Sequence, residues 1–191
     1  MLISELPTQL GARAEGRFTV TAPPTPTRGY PDIHVMTLCD ASGSMECLYR
    51  PALPNTAWLL PSLGESVMAL LTRAVNRFGK HYWRVERLIP CGVETIMQPI
   101  RWEQCPKPEW ISVLGYLIHR RIHAEPIAGF LEYVFHQREI MDPFLRFVAS
   151  RYVHHCEYGG LFEHSVKAAV GLAEIADEAT APLERDCCIV G

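Results

Sequence analysis

The sequence has no Cys-x-x-Cys pair, no long apolar run and no large excess of charge of either sign. The first absence removes the zinc-ribbon and thioredoxin-like readings, although seven cysteines are present. Cysteines dispersed in apolar surroundings are expected to be small buried side chains in a reducing compartment. No stretch approaches the roughly 18 apolar residues of a membrane span. The N-terminus, Met-Leu-Ile-Ser-Glu-Leu-Pro, lacks a basic n-region and gives no sign of a signal peptide, so the expected location is cytoplasmic. A net charge of −3 excludes a chain that is basic throughout, as a dedicated nucleic-acid binder would be. What is present is 48% hydrophobic and 20% charged over 191 residues, enough for one large or two small cores and too apolar for wholesale disorder.

The charge is unevenly spread. Residues 1–92 carry 9 Lys/Arg against 7 Asp/Glu, and residues 93–191 carry 9 against 14. The first half tolerates a polyanion, whereas the second needs cations to do so, which a metal site supplies.

Residues 12–90 read as strands. Arg13 to Thr21 alternates around Ala14, Gly16, Phe18 and Val20, and Pro23 to Pro31 is turn-rich. Ile33 to Cys39 has period two, with Ile33, Val35 and Thr37 on one face. Asp40 to Gly43 turns the chain into a second arm, Ser44 to Tyr49. A proline-rich loop, Pro51 to Pro61, leads to a β-compatible run from Ser66 to Phe78. Gly79-Lys80 then returns the chain along His81 to Ile89. Five strands laid out in this way match an OB-like barrel, with a generic small barrel as the alternative.

Pro90 to Pro108 reads as an irregular surface connector anchored by Ile96, Ile100 and Trp102. Helices follow. Trp110, Val113, Leu114, Leu117, Ile118 and Ile122 form one apolar stripe after Pro108. A second helix runs from about Pro126 to Arg138, with Phe130, Leu131, Val134 and Phe135 inside. Asp142 caps a third starting at Pro143, with Phe144, Phe147 and Val148 buried. A fourth, Leu161 to Glu178, is apolar nearly all round and belongs at a bundle centre. A fifth starts near Pro182. Its apolar ending, Cys187 to Gly191, is an unusual natural stop and suggests a truncated chain, a fragment or a disrupted reading frame. The expected class is α+β, with an OB-like domain at 1–92, a connector at 93–107 and a helical domain at 108–191.

Chemistry concentrates in His154-His155-Cys156-Glu157-Tyr158-Gly159-Gly160-Leu161-Phe162-Glu163-His164-Ser165. Gly159-Gly160 allows a sharp turn into a helix whose first turn carries Glu163 and His164. A neutral imidazole there can bind a divalent metal, with Glu163 or Glu157 holding its second nitrogen. Histidines at the start of a helix with no ligand are the bland alternative.

This stretch resembles the opening of HD-domain phosphohydrolases, in particular bacterial 3′→5′ exoribonucleases with an N-terminal OB-fold. There a His-His-x3-Gly-Gly-Leu-x-Glu-His-Thr/Ser motif begins the catalytic helical domain. A related motif opens HD-like domains of conjugative relaxase/helicase proteins. The resemblance implies a phosphodiesterase using divalent cations, Mn or Mg ahead of Zn. His164 matches its first metal-ligand histidine and His155 an upstream catalytic position, with a weaker place for His154. The family's defining His-Asp dyad has no counterpart, because no His-Asp pair occurs in the sequence. The resemblance therefore implies a chain that is inactive as it stands, or a fragment of an active protein.

A barrel of this kind binds single-stranded nucleic acid, RNA ahead of DNA, by stacking bases on exposed aromatics beside cations. The candidates are Arg17 with Phe18, Tyr49 with Arg50, and Lys80, His81, Tyr82, Trp83 and Arg84, each aromatic having a place in the core as its alternative. Self-association stays open, as does a non-catalytic binding module or a protein-binding barrel.

Overall fold

Alternation along the first strand decides how the β-region closes. Ala14, Gly16, Phe18 and Val20 all point inward, as period two requires. In a computed structural model, residues 1–98, 100, 104–152, 154–176 and 181–190 are described, in two units, Met1–Cys91 and Gly92–Gly191. Five strands form a closed barrel in the first: β1 (Arg13–Thr27), β2 (Tyr30–Asp40), β3 (Gly43–Tyr49), β4 (Ser66–Val75) and β5 (His81–Pro90), in the order β1-β2-β3-β5-β4. Neighbours are antiparallel except β3 and β5, which run parallel through Cys47↔Trp83, Leu48↔Arg84 and Tyr49↔Val85.

The proline-rich segment is strand, not turn. β1 continues to Thr27, and Pro26 lies opposite His34 of β2. Prolines are tolerated because the β4 ladder ends at Thr19↔Ser66, so β1 beyond it is paired on one side only and needs fewer N–H donors. The turn is confined to Arg28-Gly29, with Gly29 at φ +85°. On β2 the inward face is His34, Met36 and Leu38, while Ile33, Val35 and Thr37 are half-buried.

The second unit is helical: α1 (Glu94–Met97), α2 (Glu109–Arg121), α3 (Glu125–His136), α4 (Arg138–Arg146), α5 (Gly160–Ile175) and α6 (Pro182–Val190). The connector thus contains a short helix. Ile100 is buried there and Ile96 half-buried; Pro99, Trp102 and the expected helix end at Glu178 lie outside the described residues. α2 buries the expected Trp110, Val113, Leu117 and Ile118, but also Ile111, Ser112, Gly115 and Tyr116, and leaves Leu114 half-buried, so its burial extends beyond the one expected stripe. α4 begins at Arg138, so Asp142 does not cap it and Pro143 lies inside it. Burial of Met141 and Leu145, one turn apart, draws the upstream residues into the helix. The helix then ends before Phe147 and Val148, which are exposed. In α3 only Phe135 is buried, and Phe130 is exposed.

α5 packs against α2, α4 and α6. Its inward stripe is Phe162, Val166, Val170 and Ala173, with Phe162 edge-on to Phe144 at 5.6 Å. Ile175 is 75% exposed and Leu172 exposed, so α5 buries one face and is not surrounded on all sides among the described residues. Among those residues no helix is long and apolar enough to cross a membrane. The cysteines divide. Cys47 and Cys105 are buried, with thiols pushed up by burial to about 12 and about 11, while Cys156, Cys187 and Cys188 are exposed, contrary to the expectation of burial.

Candidate functional site

The loop between α4 and α5 folds back on itself through backbone hydrogen bonds. Gly159 N–H donates to the Arg146 carbonyl (2.9 Å), Leu161 N–H to that of Phe147 (2.9 Å), and Ala149 N–H to that of His155 (3.0 Å). His155 adopts φ +53°, a left-handed conformation costing an L-residue roughly 1–2 kcal/mol. The loop has to supply that cost.

Both glycines of the motif have a geometric reason. Gly159 sits at φ +80° as the residue before α5, and a side chain on Gly160 would run into the His155 carbonyl oxygen, 2.2 Å from an ideal Cβ. Only glycine lets the His155 loop close onto the first turn of α5. Gly160→Ala is expected to destabilise the helical unit by about 1–3 kcal/mol and to separate His155 from His164. Thermal denaturation and the histidine ring-proton shifts check this; an unchanged melt with unchanged shifts contradicts it.

The result is a cluster of three imidazoles. Ring centroids lie 5.2 Å apart for His155 and His164, 5.6 Å for His154 and His155, and 5.8 Å for His154 and His164. His154 and His164 are exposed and His155 is half-buried, so the cluster faces solvent. The same loop bounds an open depression of about 450 Å³, lined by Phe147, Val148, Ala149, Ser150, Arg151 and Tyr158 and by none of the three imidazoles.

Beside the imidazoles lies a charged network. One oxygen of Glu163, Oε2, is 3.6 Å from His155 Nδ1, and Glu157 Oε1 is 3.9 Å from it. These separations are too long for hydrogen bonds, so neither carboxylate holds the His155 ring. The Lys107 ammonium takes both oxygens, at 2.6 Å from Glu157 Oε1 and in close contact with Glu163 Oε2. Lys167 donates to the other Glu163 oxygen at 2.7 Å and lies 5.2 Å over the Trp110 ring. Burial alone would raise the Glu163 carboxyl, but the hydrogen bonds from Lys107 and Lys167 outweigh it and hold the group at about 2. Burial likewise opposes the charge on Lys107, whose pKa is nonetheless raised by its two carboxylate partners.

The ligand atoms of His155, Glu157 and Glu163 all lie within 4.8 Å of one another, close enough to hold a metal ion. Imidazole nitrogen with carboxylate oxygen is a donor set suited to a divalent cation. Sequence reading missed Lys107, which stands 50 and 56 residues from its partners. No local pattern announces a pairing at that range.

On the barrel the expected stacking residues divide differently. Trp83, Tyr49 and Phe18 are buried at 6%, 4% and 2% exposure and have no face to offer a base. Their strand positions point inward, Trp83 and Tyr49 lying along the parallel β3–β5 seam. Arg50 pairs with Asp32, and Arg84 Nε with Glu86 at 2.8 Å, so both cations are partly neutralised. Arg17, Lys80 and His81 are exposed, and Tyr82 is half-buried. The sequence reading placed the β4–β5 turn at Gly79-Lys80 but missed Arg77 and Phe78 as candidates beside it. There Asn76 Oδ1 accepts from the Phe78 and Lys80 amides (2.9 and 3.0 Å), leaving Phe78 79% exposed with the Arg77 guanidinium 4.7 Å from its ring. Asn76 was the available clue, since asparagine closes such turns with its own side chain.

No protein-family model matches this chain, and no curated protein is significantly similar to it.

Proposed function

We propose that the helical unit carries the opening part of an HD-type divalent-cation site for phosphodiester hydrolysis, and that the barrel is an OB-like module for single-stranded nucleic acid, RNA in preference to DNA. The observation that carries the reading is the convergence of His154, His155 and His164 at the start of α5, imposed by the Gly159-Gly160 turn. In this reading His164 is a metal ligand and His155 faces the phosphate or the metal. When bound, Mn²⁺ or Mg²⁺ supplies Lewis-acid polarisation of the phosphoryl oxygen and a hydroxide at neutral pH. No His-Asp pair occurs in the chain, so these residues are one part of the family's ligand set.

The strand order β1-β2-β3-β5-β4 with a parallel β3–β5 pair supports the OB-like reading of the barrel. In that fold the β1–β2 and β4–β5 loops flank the ligand face. Here they present Arg28 and Tyr30, and Arg77, Phe78 and Lys80. The exposed Arg77–Phe78 pair also favours a second reading, in which the chain binds single strands without turnover and its helices are structural.

Calorimetric titration with Mn²⁺ tests the first reading. The intact chain is expected to bind Mn²⁺, and His164→Ala to weaken binding at least roughly tenfold with an unchanged melt, as for loss of a metal-binding imidazole. Equal affinity in the two proteins removes His164 from the site. Retained oligonucleotide binding with a steep salt dependence would then leave the second reading.

A further inference from the structure

The two carboxylate oxygens nearest His155 Nδ1, Glu157 Oε1 and Glu163 Oε2, are the same two that hold the Lys107 ammonium. A positive group is therefore already seated among the donor atoms that a cation would use. Lys107 precedes α2, and its side chain is about one-fifth exposed, so its ammonium can swing to solvent without unwinding a helix. Lys167 is placed differently. It holds the far oxygen of Glu163 and rests on Trp110, so it can stay while Glu163 Oε2 changes partner.

Resting on the metal reading above, we infer that Lys107 is a resident cation: it neutralises the Glu157–Glu163 pair in the metal-free protein and must leave before a divalent metal can bind there. An ammonium and a divalent metal at contact distance on the same pair of oxygens repel each other, so the two cations compete for them. Metal affinity is thus set by competition with the protein's own ammonium. The arrangement keeps the carboxylates together without metal, since two uncompensated carboxylates at this spacing repel.

The test compares Mn²⁺ binding to the intact chain and to Lys107→Met, which keeps most of the side-chain volume and removes the charge. The variant is expected to bind Mn²⁺ at least roughly tenfold more tightly, and Lys107→Arg no more tightly than the parent chain. Unchanged or weaker binding by Lys107→Met overturns the inference. Should Lys107→Met fail to fold, the parent chain is titrated with Zn²⁺ while the lysine side-chain ¹H–¹⁵N signals are followed. Displacement predicts that the Lys107 signal shifts with the same midpoint as the His155 ring, and a Lys107 signal that stays put overturns it. The two levels separate cleanly. Metal binding that depends on His164 and ignores Lys107 removes only this inference; no metal binding by any form removes the metal reading and this inference with it.

Discussion

Trp83→Ala is expected to cost the barrel about 3–5 kcal/mol, the range for deleting a buried large aromatic. Trp83 is 6% exposed and stands where three strands meet. Cys47 of β3 lies beside it across the parallel pair, and Arg73 of β4 faces it across the antiparallel one. The Arg73 guanidinium covers the ring at 5.3 Å from its centroid, adding a cation–π contact to the packing that would be lost. Phe78→Ala, at the exposed β4–β5 turn, serves as the contrast, with an expected change within about 0.5 kcal/mol. Urea denaturation of the two variants checks both values. A Trp83→Ala loss below about 1 kcal/mol would mean that Trp83 is not part of the barrel core.

Asp186→Ala is expected to destabilise the helical unit by about 3–5 kcal/mol, as for removing one partner of a buried charged network. Asp186 is fully buried, and its Oδ2 accepts from the backbone N–H groups of His123 and Ala124, both at 2.7 Å. These amides lead into α3, whose N-cap residue, Ala124, has no side-chain acceptor to offer. A residue of α6 therefore caps α3. Its other oxygen accepts from Arg185 Nε at 3.2 Å. Burial alone would raise the Asp186 carboxyl, but the two backbone hydrogen bonds and Arg185 outweigh it and lower its pKa. A carboxyl depressed in the folded state stabilises fully above its unfolded pKa, near 3.8, and loses that contribution as the pH falls through the lower folded value. Asp186→Asn retains one acceptor oxygen and is expected to lose less than Asp186→Ala. Thermal melts across the acid range check both; equal stability of the three proteins would contradict the capping role.

These two residues mark where sequence reading succeeds and fails. Along Arg13–Val20 alternation identifies the inward face, because only one parity is small or apolar. On β2 both parities carry apolar residues, and barrel closure selects the one containing His34. The same ambiguity makes Trp83 and Tyr49 resemble stacking residues beside Arg84 and Arg50, when the parallel β3–β5 pairing turns them inward. That pairing joins segments more than thirty residues apart, and local pattern does not reach it. Pro23, Pro24 and Pro26 read as turn because proline cannot serve a two-sided ladder, yet a strand paired on one side accommodates them.

In the helical unit the glycine pair and the histidines are legible in order along the chain, and the structure adds how they meet. Gly160 is needed because the His155 carbonyl lies where a side chain would be. Lys107 and Asp186 were invisible to pattern for a shared reason. Each acts on residues dozens of positions away, so its role depends on the packing of whole helices.

The proposed metal site has His164, at the start of α5, as a ligand of a divalent cation. Its most direct test is a crystal of the protein grown with Mn²⁺ and measured for anomalous scattering. The account predicts an anomalous peak within roughly 2.0–2.3 Å of a His164 ring nitrogen, as metal–ligand bonds require. It further predicts that the Lys107 ammonium is withdrawn from Glu157 and Glu163. A map with no peak at the cluster, or with Mn²⁺ bound elsewhere while His164 stays free, would contradict it.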